Sequence, residues 1–126
     1  MADIAELDRH RYMSLATFRR SGAEVATPVW FAGDDGRLYV FSAEQAGKVK
    51  RLRNSPKARV APSDARGRIR GTWLEASARI LTEPAAIDRA RAAFRRKYGW
   101  QMLVTDLFSR LAGRIHHRAW LEICLH

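Results

Sequence analysis

A single cysteine, Cys124, stands among the 126 residues, so no disulfide can form within the chain and a reducing compartment suits it. Cys124 lies in the apolar run AWLEICL, where nothing nearby would lower a thiol pKa, and no nucleophilic role is assigned to it. Long apolar stretches are missing as well. None approaches the roughly 20 residues that a membrane helix requires, and the start MADIAELDRHRY is too polar for the core of a secretory signal. A soluble cytoplasmic chain without membrane contact is expected. Metal-ligand spacing is lacking too: His116 and His117 are adjacent, so on a strand they point to opposite faces, and no cysteine or carboxylate motif accompanies them. Asp34 and Asp35 belong to a turn, which leaves no acid–base or nucleophile constellation and no catalytic side chain to name.

Acidic residues are scarce. There are 13 against 23 Lys and Arg, which gives a net charge of +10 and a pI of about 11.0. The excess is local: residues 48–70 hold nine basic residues and one acid, residues 1–47 five and seven, and residues 71–126 nine and five. A basic segment of this kind calls for an anionic partner. Apolar residues make up 47% of a length that fits one domain, 1–126, with no repeat, low-complexity segment or linker.

Periodicity and turn residues divide the chain into six strands and several short helices. A short helix is expected over Ile4–Arg9, then a strand from Tyr12 to Arg19, the turn Arg20-Ser21-Gly22-Ala23, and a second strand from Val25 to Phe31. Gly33-Asp34-Asp35-Gly36 marks a turn into a third strand, Arg37 to Phe41, and these three strands are expected to form a meander. Gly47 to Asn54 changes period, with Val49 and Leu52 on one face, and Pro56 ends that basic helix. Ala58 to Ala61 is a fourth strand closed by Pro62, and a turn at Arg66-Gly67-Arg68 leads into a long fifth strand, Ile69 to Leu81. Pro84 opens a helix that carries Ile87, Ala90, Phe94 and Tyr98 on one face and breaks at Gly99; a further helix spans Met102–Ala112, and a last strand Arg114–Leu125. This order predicts an antiparallel β-barrel with helices across its openings.

The stretch Phe41-Ser42-Ala43-Glu44-Gln45-Ala46-Gly47-Lys48-Val49-Lys50-Arg51-Leu52-Arg53-Asn54-Ser55-Pro56 carries the strongest chemical signal. A strand delivers a hydroxyl, Gly47 turns the chain, and a helix opens with Lys48 in its first turn. Free N–H groups and the positive end of the dipole meet an anion there, with Lys48 and Lys50 as point charges and Arg53 as a fork of donors. A plain alternative is a solvated basic helix with Ser42 as its N-cap and Gln45 completing a capping box.

Three segments in this order, Ala26-Thr27-Pro28-Val29-Trp30-Phe31, Gly36-Arg37-Leu38-Tyr39-Val40-Phe41-Ser42, and Lys48 through Pro56 followed by Arg59-Val60, resemble the split β-barrels related to pyridoxamine 5′-phosphate oxidase. The resemblance covers roughly residues 10–81. The F420-dependent branch of actinobacteria is the most similar, and Arg96-Lys97-Tyr98-Gly99-Trp100 is similar to one of its subgroups. What the resemblance implies is a six-stranded antiparallel split barrel (an FMN-binding split barrel) that forms a homodimer with two cofactors in clefts between subunits. It implies further that Ser42, Lys48 and Lys50 hold the cofactor phosphate, with Arg53 as a weaker contact, and that Thr27, Pro28, Val29 and Trp30 touch its ring system. The oxidase carries extra basic residues where this chain has Ala26-Thr27-Pro28-Val29, a departure that favours the deazaflavin F420 over FMN.

F420 bears a phosphodiester and a glutamate tail, so Arg51, Lys57, Arg66, Arg68 and Arg70 are candidates for a basic groove that attracts it. The expected function is an oxidoreductase that passes a hydride between reduced F420 and a small organic substrate, with the protein supplying orientation, a phosphate anchor and a dry wall. The alternatives are an FMN-dependent enzyme of the same fold, a non-catalytic F420-binding protein, a haem-binding protein and a basic nucleic-acid-binding domain. The last lacks any helix-turn-helix or zinc-finger pattern and does not interleave aromatics with its basic run.

Overall fold

The first strand is covered on both faces: every residue from Met13 to Thr17 is buried, with Met13, Leu15 and Thr17 on one face and Ser14 and Ala16 on the other. The computed structural model describes residues 7–43, 46–99 and 118–126. Within them run β1 (Tyr12–Phe18), β2 (Glu24–Trp30), β3 (Ala32–Asp34), β4 (Arg37–Ala43), helix α1 (Gly47–Asn54), β5 (Lys57–Ser63), β6 (Leu74–Ile80), helix α2 (Pro84–Tyr98) and β7 (Arg118–Leu125). The strands form one sheet in the order β2-β1-β5-β6-β7-β4-β3, and every pairing is antiparallel. The sheet curls around a core of Leu15, Val29, Phe31, Leu38, Val40, Val60, Leu121 and Ile123. This is the expected split-barrel architecture, with seven strands in place of six.

The added strand is β3. Asp35 (φ 49°) and Gly36 (φ 77°) both take positive φ, so the hairpin turns on these two residues and leaves Asp34 paired with Arg37. The expected meander is not formed: among the described strands β2 pairs with β1 alone, while β4 pairs with β7 and β3. Phe31, fully buried, lies between the end of β2 and the start of β3, so the two edges of the sheet meet in one continuous stretch of chain.

The fifth strand begins at Leu74 instead of Ile69. Pro62 accounts for the difference. It has no N–H for a ladder, and the β5–β6 pairing stops at Val60↔Leu74, short of it. The chain after β5 therefore peels away into a loop closed by Asp64, whose Oδ1 accepts from the N–H groups of Arg66 and Arg68 at 2.9 Å each. It rejoins β5 through an Arg70 N–H bond to the Pro62 carbonyl of 2.7 Å.

Helix α1 lies across one end of the barrel with Val49 and Leu52 buried. Helix α2 packs Ala86, Ala90, Ala93, Phe94 and Tyr98 on the outer face of the sheet, over Ala32, Tyr39 and Trp120. Its C-terminal end is anchored by the Tyr98 hydroxyl, which accepts from the Phe31 N–H (3.2 Å) and lies 2.6 Å from the Phe31 carbonyl. Burial raises the pKa of this phenol well above its ordinary value, so it stays protonated and able to donate. Residues 4–6 of the first expected helix, the expected helix Met102–Ala112, His116, His117, and the start of the last strand before Arg118 lie outside the described residues.

Candidate cofactor-binding site

The first turn of α1 gathers cations without acids. Its N-cap is Ala46, which makes no side-chain capping bond, so the capping-box alternative with Ser42 as N-cap is not formed. Ser42 instead sits half-buried inside β4, paired with Ala119; Gln45 lies outside the described residues. The N–H groups of Val49 and Lys50 both reach the Ala46 carbonyl, at 3.1 and 3.2 Å. Those of Gly47 and Lys48 meet no protein acceptor among the described residues.

Helical geometry divides the basic residues of α1 into groups. At 100° per residue, Lys48 and Arg51 share one flank of the buried Val49–Leu52 stripe, and Arg53 and Lys50 share the other. The structure follows that division. Lys48 is half-buried, and burial, followed by repulsion from Arg51, lowers its pKa. Arg51 donates from Nε to the Thr17 hydroxyl at 2.6 Å, and burial and then Arg19 lower the pKa of its guanidinium. Lys50 is exposed. Arg53 lines a separate cavity of about 470 Å³ with Ile80, Leu81, Thr82, Ile87 and Trp120. Among the described residues, no carboxylate pairs with Lys48, Lys50, Arg51 or Arg53.

Along β2, alternation separates the four expected ring contacts. Thr27 and Val29 face inward; Val29 is 8% exposed in the core, and the Thr27 Oγ1 is buried without a hydrogen-bond partner. Pro28 and Trp30 face outward. Pro28 is exposed, whereas Trp30 is stacked on Tyr98 with ring centroids 5.3 Å apart. Thr27 pairs with Leu15 and Val25 with Thr17, so the two threonines sit on the same face of neighbouring strands, one diagonal step apart. Sequence reasoning placed Arg51 in a diffuse groove and did not single out Thr17, because a contact between β1 and α1 has no local signal.

The rest of that groove is more neutral than its composition. Asp64 lies 3.6 Å from Arg68 Nε and 3.5 Å from Arg70 Nη2, and Lys57 sits over the Phe18 ring at 4.5 Å. Arg66 is exposed on the same loop, which approaches β2 where a Cβ on Gly67 would stand 3.6 Å from Pro28 Cδ. Among the described residues there is no group of His, Cys, Asp and Glu able to hold a metal, and no helix long and apolar enough to cross a membrane.

A family model described as pyridoxamine 5′-phosphate oxidase matches residues 3–124. The chain belongs to that family. Solved structures of this oxidase-like fold include a conserved hypothetical protein from Mycobacterium tuberculosis, 23% identical with a TM-score of 0.70 over 100% of this chain and 84% of that one. The haem storage protein HutZ of Vibrio cholerae is 13% identical, with a TM-score of 0.70 over 98% and 87%. An FAD-binding protein of Mesorhizobium loti is 17% identical, with a TM-score of 0.62 over 95% and 82%. No curated protein matches the chain. At these identities the likeness establishes the oxidase-family fold, and a fold that includes a haem store and a flavin binder leaves the chemistry to the site.

Proposed function

We propose that this member of the oxidase family is an F420-dependent oxidoreductase that holds its cofactor by the phosphate at the first turn of α1. One observation carries the reading: Lys48 and Arg51 lie close together, half-buried, beside the amides of Gly47 and Lys48, and among the described residues neither cation has a carboxylate and neither amide an acceptor. Cations kept partly out of water without a counter-charge are costly, and an anion offsets that cost. Lys48, Arg51 and the two amides would hold the phosphate, Ser42 and Lys50 lie on the flanking strand and the outer helix face, and the exposed Pro28 offers an apolar wall for the ring. A bound deazaflavin would supply the hydride, and the chain's residues would supply position and exclusion of water.

What supports F420 over FMN is that β2, EVATPVW, has no basic residue, while Arg66 stands exposed on the loop whose Gly67 approaches Pro28. A homodimer belongs to the same reading, because the site lies at the barrel end and along the unpaired edge of β2, where a second copy would enclose it. The test is a pair of equilibrium titrations with F420 and FMN, following cofactor fluorescence. At least tenfold tighter binding of F420, about 1.4 kcal/mol, is expected. Equal or reversed affinities would replace the deazaflavin with a flavin.

A further inference from the structure

We infer that Arg51 is a direct ligand of the cofactor phosphate and that Thr17, with Gly47, is the positioning element that aims it. The inference rests on the phosphate reading above and adds to it how Arg51 is aimed, through Thr17, a residue that the sequence pattern does not single out, and through the missing side chain of Gly47. Thr17 is fully buried on the inner face of β1, where a hydroxyl needs a partner, and Arg51 Nε donates to it at 2.6 Å. The other end of the guanidinium rests on α1 itself. A Cβ built on Gly47 would stand 2.8 Å from Arg51 Nη1 and 3.7 Å from Nη2, so the absence of a side chain at position 47 makes the room that the guanidinium fills.

The geometry fixes the direction of the fork. With Nε engaged by Thr17, the remaining N–H donors of Nη1 and Nη2 are presented at the opening turn of α1, next to the Gly47 and Lys48 amides. No acid among the described residues accepts them, and Arg19 adds a like charge nearby. A guanidinium placed only to tie α1 to β1 would serve through its Nε contact alone. One whose unengaged fork covers a helix start beside a half-buried lysine is arranged for a tetrahedral oxyanion, which takes two parallel N–H bonds.

Four variants are titrated with F420 and FMN and followed by thermal melting. Thr17→Val keeps the shape and removes the acceptor, Thr17→Ser restores the hydroxyl, Gly47→Ala inserts the methyl that displaces Nη1, and Lys48→Met is the reference for the phosphate site. Thr17→Val and Gly47→Ala should each weaken the tighter cofactor by roughly threefold to tenfold, with Thr17→Ser within about twofold of wild type. Gly47 takes no positive φ, so Gly47→Ala should melt no lower than wild type, and affinity falls while stability does not. If Lys48→Met loses affinity while Thr17→Val and Gly47→Ala bind as wild type, Arg51 is only a tether and this inference fails alone. If Thr17→Ser is as weak as Thr17→Val, packing and not the hydroxyl is at work, which also overturns it. Binding of neither cofactor by wild type, or no change in Lys48→Met, removes both readings. Should Thr17→Val not fold, Gly47→Ala decides.

Discussion

Methionine in place of Lys48 keeps the alkyl stem and removes the charge, so it separates what the ammonium does for the ligand from what it costs the fold. In the complex, the lost contact is a charge-assisted one, worth roughly 1.5–3 kcal/mol, and cofactor affinity should drop by about 10-fold to 150-fold. Without ligand the sign reverses. Lys48 lies in the first turn of α1, against the positive end of the dipole, and three residues from Arg51 on the same flank. Relief of those two terms is worth roughly 0.5–1 kcal/mol, a rise in Tm of about 2–4 °C for a domain of this size.

Proton linkage gives the same residue a signature in pH. Burial, and then Arg51, set the folded pKa of Lys48 below its unfolded value, so the cost to the apo fold is present below the folded pKa and fades as pH rises through it. The stability advantage of Lys48→Met should therefore shrink at alkaline pH. A bound phosphate raises that pKa again, so wild-type affinity is full below the apo pKa and falls as pH climbs past it, whereas the variant shows a flatter profile. Titration by cofactor fluorescence and melting by circular dichroism measure both, with Lys57→Ala as a control. Unchanged affinity in Lys48→Met, an equal loss in the control, or a lowered apo Tm would refute the reasoning.

Two further outcomes follow from the structure. Tyr98→Phe leaves the Phe31 N–H buried without its acceptor, so it should destabilise the protein by about 1–3 kcal/mol in chemical denaturation; a change within a few tenths would show that water replaces the hydroxyl. Sedimentation at micromolar concentration should give a homodimer, and a monomer that still binds cofactor at full affinity would place the whole site within one chain.

Much of this was legible in the residues. Gly22, Asp35-Gly36, Pro84 and Gly99 punctuate the chain through local backbone chemistry, and the β1–β2 hairpin, α1 and α2 stand where those signals put them. Strand pairing is a different matter. Nothing in GDDGRLYVF tells whether β4 lies beside β2 or β7, because partners distant in sequence are chosen by closure of the barrel. Pro62 shortens β6 through the ladder it denies a neighbour, a consequence that appears only once β5 and β6 are known to pair. In the site, helical periodicity alone separates Lys48 from Arg53 around Val49 and Leu52. Which flank faces β1, and hence the meeting of Arg51 with Thr17, depends on how α1 crosses the barrel end.

The seam at Phe31, where the sheet begins and ends in one stretch of chain, also bears on how the molecule behaves in a crowd. A sheet whose outer strands, among the described residues, each have one partner invites strand addition by any unfolded neighbour and growth into aggregates. At one margin β3 is only three residues long, too short a template to recruit a partner strand. At the other, Pro28 interrupts β2 with a nitrogen that has no hydrogen to give, so an incoming chain finds a broken ladder at its middle. The flat ligand proposed for this margin would need surface and not a continuous row of donors.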